Sequence, residues 1–484
     1  MANVKKNLAY NFLLSCSQVL IPLISIPYVS RILEPTGIGK VSFIDSLCYY
    51  FVIIADFGIV AYGTREVARR QHQKNELQQL VAELIVLHSM ATLASLLLYS
   101  VAVFILWEKI QDIRIVLFSV AFLISNAFTC EWYFWGTERF RYITFRSLVT
   151  RIMGLIALFI MVQKPSDYYI YYGIVIGAAI LNQLANMQLL FRELAVRFRQ
   201  LQWRRHIRSA SLIYFTNLLY SITVLLDNVL LGLVSTVAAV GLYAFSTKIV
   251  RIGSNVITDI FLVLYPRTAA LLQQENSPAL KHTMRRSVQL IILLTIPAGA
   301  GIFLLAKPIV TVLLADSFLP AAHNLLILAV LPFLKTYSLF LGKQVLLSHH
   351  KEKLYMYSLV VGSLLFVAST LVLSYYWHDR GASYALIGAE AVTLIISGYY
   401  VKKCMPGLPV FDWTVLLQAL LGSALFIPVI WLIEKYIAAP LLVLIVSIVI
   451  CIPLYFIFQL FVMRNKLLLA FINEKKIFHT GTSA

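Results

Sequence analysis

Long apolar runs divide the chain, and short polar segments separate them. A mostly apolar run of about 20 residues spans the hydrocarbon core of a bilayer as an α-helix. Repeated runs of this length predict transmembrane helices rather than the alternating strands of a membrane barrel. We place fourteen spans at about residues 8–30, 41–62, 79–104, 115–135, 146–163, 168–191, 210–233, 238–264, 287–306, 321–343, 354–376, 381–401, 414–433 and 440–463.

The composition supports an all-α, multi-pass membrane protein. Of the 484 residues, 60% are hydrophobic and 13% are charged, whereas soluble domains are roughly half apolar and a quarter charged. The residues outside the spans suffice only for short loops, so no sizeable soluble domain fits. The first run is too long for the core of a signal peptide, and we expect it to remain as the first helix.

Lysine and arginine alternate in abundance from one connecting segment to the next. Segments such as 65–74, 192–208 and 464–476 are rich in them, and the intervening segments are poor. By the positive-inside rule the rich segments and both termini are predicted to be cytoplasmic. The net charge of +18 is therefore interpreted as a topology signal and not as nucleic-acid binding. Residues 192–208 also fit a basic amphipathic helix on anionic lipid.

The first half of the chain resembles the second at a shift of 202 residues. The predicted spans nearly superpose, and Gly39 then falls on Gly241. Parallel repeats predict two six-helix lobes around a central cavity, with two added helices, a design suited to rocking alternating access. The predicted domains are an N-lobe (1–191), a basic cytoplasmic connector (192–209), a C-lobe (210–401), and the last two helices with a cytoplasmic tail (402–484).

Ionisable residues inside the predicted spans are the candidate site residues, because charges within a bilayer are costly and usually functional. The eighth span carries four polar residues at spacings that place them on one helical face, namely Lys248, Arg251, Asn255 and Asp259. One interpretation is a cationic wall of a water-filled cavity. The alternative is a salt-bridged stripe that ties two helices together.

Two sets of candidates follow from these charges. Four cations are predicted to bind an anionic, phosphate-bearing substrate: Lys248, Arg251, Lys335 and Arg31. Four carboxylates are candidates for ion coupling or gating: Asp56, Asp227, Asp259 and Glu390. We expect no bound cofactor or metal ion, since phosphate-binding loops and His/Cys clusters are absent; coupling to H+ or Na+ stays open.

Several segments resemble the Wzx-type polysaccharide flippases, whose superfamily includes the MATE exporters and the lipid II flippase MurJ. These segments are residues 28–39, 56–68 (DFGIVAYGTREVA) and 131–144 (EWYFWGTERFRYIT). The family often has Gln where this chain has Trp135. The resemblance implies a two-lobed bundle that flips undecaprenyl-diphosphate-linked oligosaccharide repeat units to the outer leaflet of the bacterial inner membrane.

The same resemblance implies a pathway for O-antigen or another surface polysaccharide, with membrane lipids, a polysaccharide polymerase and a chain-length regulator as partners. Two other classes remain open. A MATE-like, cation-coupled exporter of small molecules would favour acids over bases in its cavity. A membrane polymerase or ligase would need a larger outer loop than the sequence offers, so we predict a protein that is not an enzyme.

Overall fold

The structure is a computed structural model that describes residues 2–196, 198, 201–272, 278–349, 351–465 and 467–469. Within them the fold is all-helical and has no β-strand. The α-helices are α1 (Ala2–Asp56), α2 (Ile59–Arg70), α3 (Lys74–Ile105), α4 (Trp107–Ile110), α5 (Ile113–Asn126), α6 (Glu131–Gly136), α7 (Phe140–Met161), α8 (Tyr168–Glu193), α9 (Arg204–Val234), α10 (Val237–Leu272), α11 (Pro278–Leu304), α12 (Ala306–Leu313), α13 (Ala321–Leu328), α14 (Leu331–Leu339), α15 (Glu352–Cys404), α16 (Trp413–Ala424), α17 (Phe426–Tyr436) and α18 (Pro440–Ile457). Two π-helical segments follow α14 and α18, at Phe340–Leu346 and Phe458–Val462.

The prediction of a multi-pass membrane protein is confirmed. In the described part of the chain, eight helices are long and apolar enough to cross a bilayer, or nine if α13 and the bent segment after it form one span. Two of the long helices each contain one residue with non-helical backbone, Glu34 in α1 and His378 in α15. Both residues fall where the sequence predicts an outer loop between two spans. The count of fourteen spans stays a prediction.

The chain divides into two compact units, Met1–Ala244 and Phe245–Ala484. In the first unit, α1 packs against α3, α5, α7 and α9, and α2 packs against α6. In the second unit, α11 packs against α14 and α16, and α15 packs against α13 and α14. The predicted lobe limits, with a connector at 192–209, stay a prediction.

Two of the family-like segments pack on each other inside the first unit. A Cβ on Gly63 of α2 would lie 3.1 Å from the Trp132 ring of α6, and a Cβ on Gly136 would lie 2.7 Å from Val67. Each glycine therefore lets the two short helices approach closely. Trp132 is fully buried at this contact, so segments 56–68 and 131–144 form one packed element.

The glycines that the 202-residue shift aligns meet in a reciprocal contact. A Cβ on Gly39 would lie 1.9 Å from the Val237 carbonyl oxygen, and a Cβ on Gly241 would lie 1.9 Å from the Pro35 carbonyl oxygen. Pro35 and Val237 are themselves 202 residues apart. Such reciprocity is what a local two-fold axis produces. The structure thereby adds a physical contact to the weak sequence repeat.

Candidate functional site

The stripe predicted on the eighth span lies on α10. Lys248 is exposed, with its Nζ 6.0 Å from the centre of the Phe245 ring. Arg251 is half-buried and Asn255 is exposed. Asp259 is helical, but its side chain lies outside the described part of the chain. The helix puts the four positions along one face, and the cavity that they were predicted to line stays a prediction.

Lys335 and Glu390 came from different predicted sets, and the structure joins them. The Lys335 Nζ on α14 lies 2.5 Å from a carboxylate oxygen of Glu390 on α15. The two side chains are only 16% and 7% exposed. A buried, hydrogen-bonded ion pair of this kind neutralises both charges. Neither group is therefore an isolated charge in the second unit.

Asp227 and Arg31 lie in contrasting surroundings. Asp227 is fully buried, and it accepts hydrogen bonds from the Tyr243 hydroxyl at 3.2 Å and the Asn228 backbone N–H at 2.8 Å. Arg31 is exposed, and its guanidinium donates to the Pro27 carbonyl at 3.3 Å. None of these three hydrogen bonds joins Asp227 or Arg31 to another candidate residue.

Asp56 forms a compact polar cluster with two residues of neighbouring helices. The Asn126 amide donates to an Asp56 carboxylate oxygen at 3.0 Å, and the His88 Nε2 lies 3.4 Å from that oxygen. The same amide nitrogen lies 3.2 Å from the His88 Nε2. His88 and Asn126 are buried, whereas the Asp56 side chain is 27% exposed. We call Asp56, His88 and Asn126 the Asp–His–Asn cluster.

This cluster lies where two helices are interrupted. α1 ends at Asp56, and Phe57 and Gly58 have positive φ angles of 44° and 74° before α2 begins. α5 ends at Asn126, and α6 begins four residues after Ala127. Positive φ is strained for a bulky residue such as Phe57. Irregular backbone at membrane depth occurs where it is buried in protein or lines a cavity.

The structure also contains a second group of charged residues, around Arg146, which the sequence did not predict as part of a site. Arg146 on α7 is 8% exposed and contacts Glu131 at 2.6 Å, as well as the Asn186 side chain. Beside it is a pocket of about 470 Å³, lined by Arg139, Arg141, Tyr142, Phe145 and Arg146. We call these five residues the arginine pocket.

The charge pattern of the sequence explains why this pocket was not predicted. Arg139 and Arg141 lie between two predicted spans, where basic residues indicate topology, and Arg146 lies at the predicted start of the fifth span. One sequence signal could have indicated it, namely a second arginine inside the predicted fifth span. Arg151 lies inside the same span, and its guanidinium donates to the Ser17 hydroxyl at 2.6 Å.

A buried network attaches α9 to the start of α3. The carboxylate of Glu83, fully buried, accepts hydrogen bonds from Arg205, from His206 and from the Gln202 backbone N–H. Burial lowers the pKa of His206, and its hydrogen bond to Glu83 opposes this effect. The two ring nitrogens contact different groups: Nε2 lies 2.7 Å from a Glu83 carboxylate oxygen, and Nδ1 lies 2.7 Å from the Tyr62 hydroxyl.

Residues 4–272 match the family described as polysaccharide biosynthesis protein (Polysacc_synt). This is more than half of the chain. The chain belongs to the polysaccharide biosynthesis protein family. The match extends from α1 through α10, and it therefore includes the Asp–His–Asn cluster, the arginine pocket and the Lys248 stripe.

Two curated proteins resemble the chain over most of their length. It is 22% identical over 407 residues to the "Putative O-antigen transporter" of Escherichia coli (strain K12), covering 83% of this chain and 97% of the relative. It is also 22% identical over 405 residues to a protein of the same description from Shigella dysenteriae, covering 81% and 98%.

Solved structures show the same fold. The lipid II flippase MurJ in an inward closed conformation has a TM-score of 0.71 at 12% identity, covering 95% of this chain and 99% of that one. An inward-facing multidrug resistance transporter of the MATE family has a TM-score of 0.63 at 12% identity, covering 81% and 98%. Likeness at this identity establishes the fold of this polysaccharide biosynthesis protein and not its substrate.

Proposed function

We propose that this protein is a flippase for lipid-linked oligosaccharide. It moves repeat units on undecaprenyl diphosphate from the cytoplasmic to the outer leaflet of the bacterial inner membrane, with both of its termini cytoplasmic. Membership of a polysaccharide biosynthesis family supports the pathway. Relatives named as transporters, and a flippase and an exporter among the structures of the same fold, support transport rather than covalent chemistry.

The observation that carries the proposal is the arginine pocket. Guanidinium groups bind phosphate oxygens in pairs of parallel hydrogen bonds. Arg139 and Arg146 have carboxylate partners, Glu193 and Glu131, whereas Arg141 has none in the described part of the chain and is exposed. Among the three arginines at this pocket, Arg141 is thus the one whose charge has no carboxylate partner in the described residues.

The aromatic side of the pocket fits a ligand with a lipid tail. Phe145 is a large apolar residue that is 70% exposed, and it lies next to the predicted fifth span, where its ring is open to lipid. α7 begins at the predicted cytoplasmic end of the fifth span. A diphosphate carried on a polyprenyl chain could thus reach Arg141 from the inner leaflet while its tail stays in hydrocarbon.

Later steps of the proposed cycle use the cations of α10. Moving a diphosphate across the bilayer places negative charge in a medium of low dielectric, and basic residues offset that cost. Lys248 and Arg251 are the candidates for this role. An ion gradient drives alternating access, and a polymerase and a chain-length regulator act on the product at the outer face.

The proposal is tested with purified protein in liposomes. The probe is the lipid-linked repeat unit extracted from cells that lack this protein, in which it is expected to accumulate on the cytoplasmic face. Arg141→Gln removes a charge-assisted hydrogen bond and should raise the half-saturating substrate concentration about tenfold or more. Arg208→Gln, an exposed arginine of α9 outside the pocket, is the matched control and should behave as wild type.

Two outcomes would contradict the proposal. Wild-type protein that leaves the probe on the side where it was loaded refutes flipping itself. If Arg141→Gln, Lys248→Ala and Arg251→Ala all transport the probe at the wild-type rate, recognition of the diphosphate by these cations is wrong, although flipping stands.

A further inference from the structure

We infer that the Asp–His–Asn cluster is a proton-binding site that couples a proton gradient to transport. The inference rests on the proposed function for its biological role, and the site itself can be tested apart from transport. Asp56 and His88 both lie within helices that are long and apolar enough to cross a membrane. Ionisable residues inside membrane-spanning helices are rare, and a contacting carboxylate and imidazole there make a candidate functional pair.

The atoms around Asp56 favour a proton over a metal cation. Its carboxylate oxygen has two nitrogen neighbours, the Asn126 amide at 3.0 Å and the His88 Nε2 at 3.4 Å. Hard cations take several oxygen ligands instead. In the described part of the chain, no group of three or more His, Cys, Asp or Glu side chains could hold a metal ion. Imidazole, in contrast, changes its charge near neutral pH.

The geometry gives the cluster two hydrogen-bonding states. In the first, the His88 Nε2 has no proton and accepts a hydrogen bond from the Asn126 amide at 3.2 Å. In the second, Nε2 has taken up a proton, can only donate, and turns to the Asp56 carboxylate. The Asn126 amide then loses one acceptor. Because the Asp56 side chain is 27% exposed and His88 only 2%, the proton reaches the ring by way of Asp56.

Asn126 transmits the change of state to the helix interruption after α5. Its side-chain oxygen accepts from the Thr129 hydroxyl at 3.2 Å, which fixes the amide orientation. The Thr129 carbonyl in turn accepts from the Trp132 indole at 3.0 Å. Trp132 packs against Gly63 of α2. A proton at His88 is thereby linked to both interrupted helices.

Other titratable groups on the helices that pack here have partners of their own. Tyr214 of α9 stacks on the Phe57 ring, with the ring centres 5.0 Å apart. The remaining pairs are Glu83 with Arg205 and His206, Tyr62 with His206, Glu66 with Arg65, Arg69 and Arg70, and Glu131 with Arg146. Asp45 and Tyr50 of α1 are further titratable groups on the same helices. The variants described below separate the response of Asp56 and His88 from that of these groups and of His206.

Cys130 provides a reporter that needs no substrate. It is 1% exposed and lies immediately before α6. The experiment uses the full chain in nanodiscs with Cys130 as its sole cysteine, and measures the rate of labelling by N-ethylmaleimide. A second protein with Cys404, which is exposed, as its sole cysteine corrects for thiolate formation. The ratio of the two rates should change about fivefold or more between about pH 5 and 8.

The variants separate the proton site from its neighbours. Asp56→Asn and His88→Gln should abolish the pH dependence of the labelling ratio, and Asp56→Glu should retain part of it. His282→Gln, an exposed histidine of α11, should leave it intact. In liposomes, the ratio of transport rates with and without a pH gradient should fall to about one in Asp56→Asn and His88→Gln.

A labelling ratio that is constant with pH in the wild-type background overturns the inference. So does a ratio that still changes with pH in both Asp56→Asn and His88→Gln. Wild-type protein that moves no lipid-linked repeat unit refutes the proposed function, and the Cys130 result then decides the proton site by itself. Transport that a pH gradient accelerates equally in wild type and in both variants refutes the coupling.

Discussion

The reciprocal glycine contact predicts an unusual double-mutant result. An alanine at position 39 or 241 would place its Cβ 1.9 Å from a backbone oxygen, and ordinary contact begins at 3.4 Å. The two segments must therefore separate by about 1.5 Å, a forced overpacking that costs about 1–3 kcal/mol. One displacement relieves both clashes. Gly39→Ala and Gly241→Ala together should then cost about as much as either alone.

The assay is thermal unfolding of the purified protein in detergent. Each single variant should lower the apparent Tm by several degrees, and the double variant should lower it little further. Alanine also favours a helix over glycine by up to about 1 kcal/mol, which partly masks the clash. Gly177→Ala on α8 measures this gain alone, because a Cβ there meets nothing within 4 Å.

The prediction is decided by whether the stability losses of the two single variants add in the double variant. Independent sites add to within about 0.5 kcal/mol, so a double variant whose loss equals the sum of the two single losses would refute a shared displacement. Single variants as stable as Gly177→Ala would refute the close approach itself.

Two buried carboxylates give further predictions. Lys335→Ala leaves Glu390 buried without its cation and should lower the free energy of unfolding by about 3–5 kcal/mol. The double variant Lys335→Ala/Glu390→Gln should recover most of the apparent Tm. A double variant with as low a Tm as Lys335→Ala alone would contradict this. Burial raises the pKa of Asp112, but hydrogen bonds from Arg114 and Tyr168 outweigh it and hold the pKa at about 2. Because this lies below the unfolded value of about 3.9, the stabilisation is complete above about pH 5 and is lost as the pH falls towards 2. Asp112→Asn should flatten that part of a stability–pH curve.

Hydrophobicity predicted the helices well and their interruptions poorly. Each predicted span falls on one or more helices, because a run of apolar residues in lipid has to satisfy its backbone internally. Span 115–135, however, is two helices with an irregular segment before Glu131. At the other interruption, Gly58 was a local signal, but nothing about a phenylalanine at position 57 suggests positive φ. Packing against α9 holds that conformation, and packing is not visible in hydropathy.

The candidate residues were predicted as single charges, and their partners were not. Lys335 and Glu390 stood out because each is ionisable within an apolar span. Their contact joins positions 55 residues apart, which no local pattern encodes. The same holds for Asp56, where Asn126 is 70 residues away. Arg146 was missed because arginine at the end of a span serves topology more often than binding.

The reciprocal glycines also bear on the history of the chain. In a symmetric pair of identical six-helix chains, one glycine position would appear twice in the interface, because a two-fold axis repeats every contact. In this chain Gly39 and Gly241 hold two such positions, because each faces the backbone of the segment that carries the other. Substitution at either is then constrained by the opposite half. A side chain at either position would move the segment that carries the other glycine, so the two positions are constrained together.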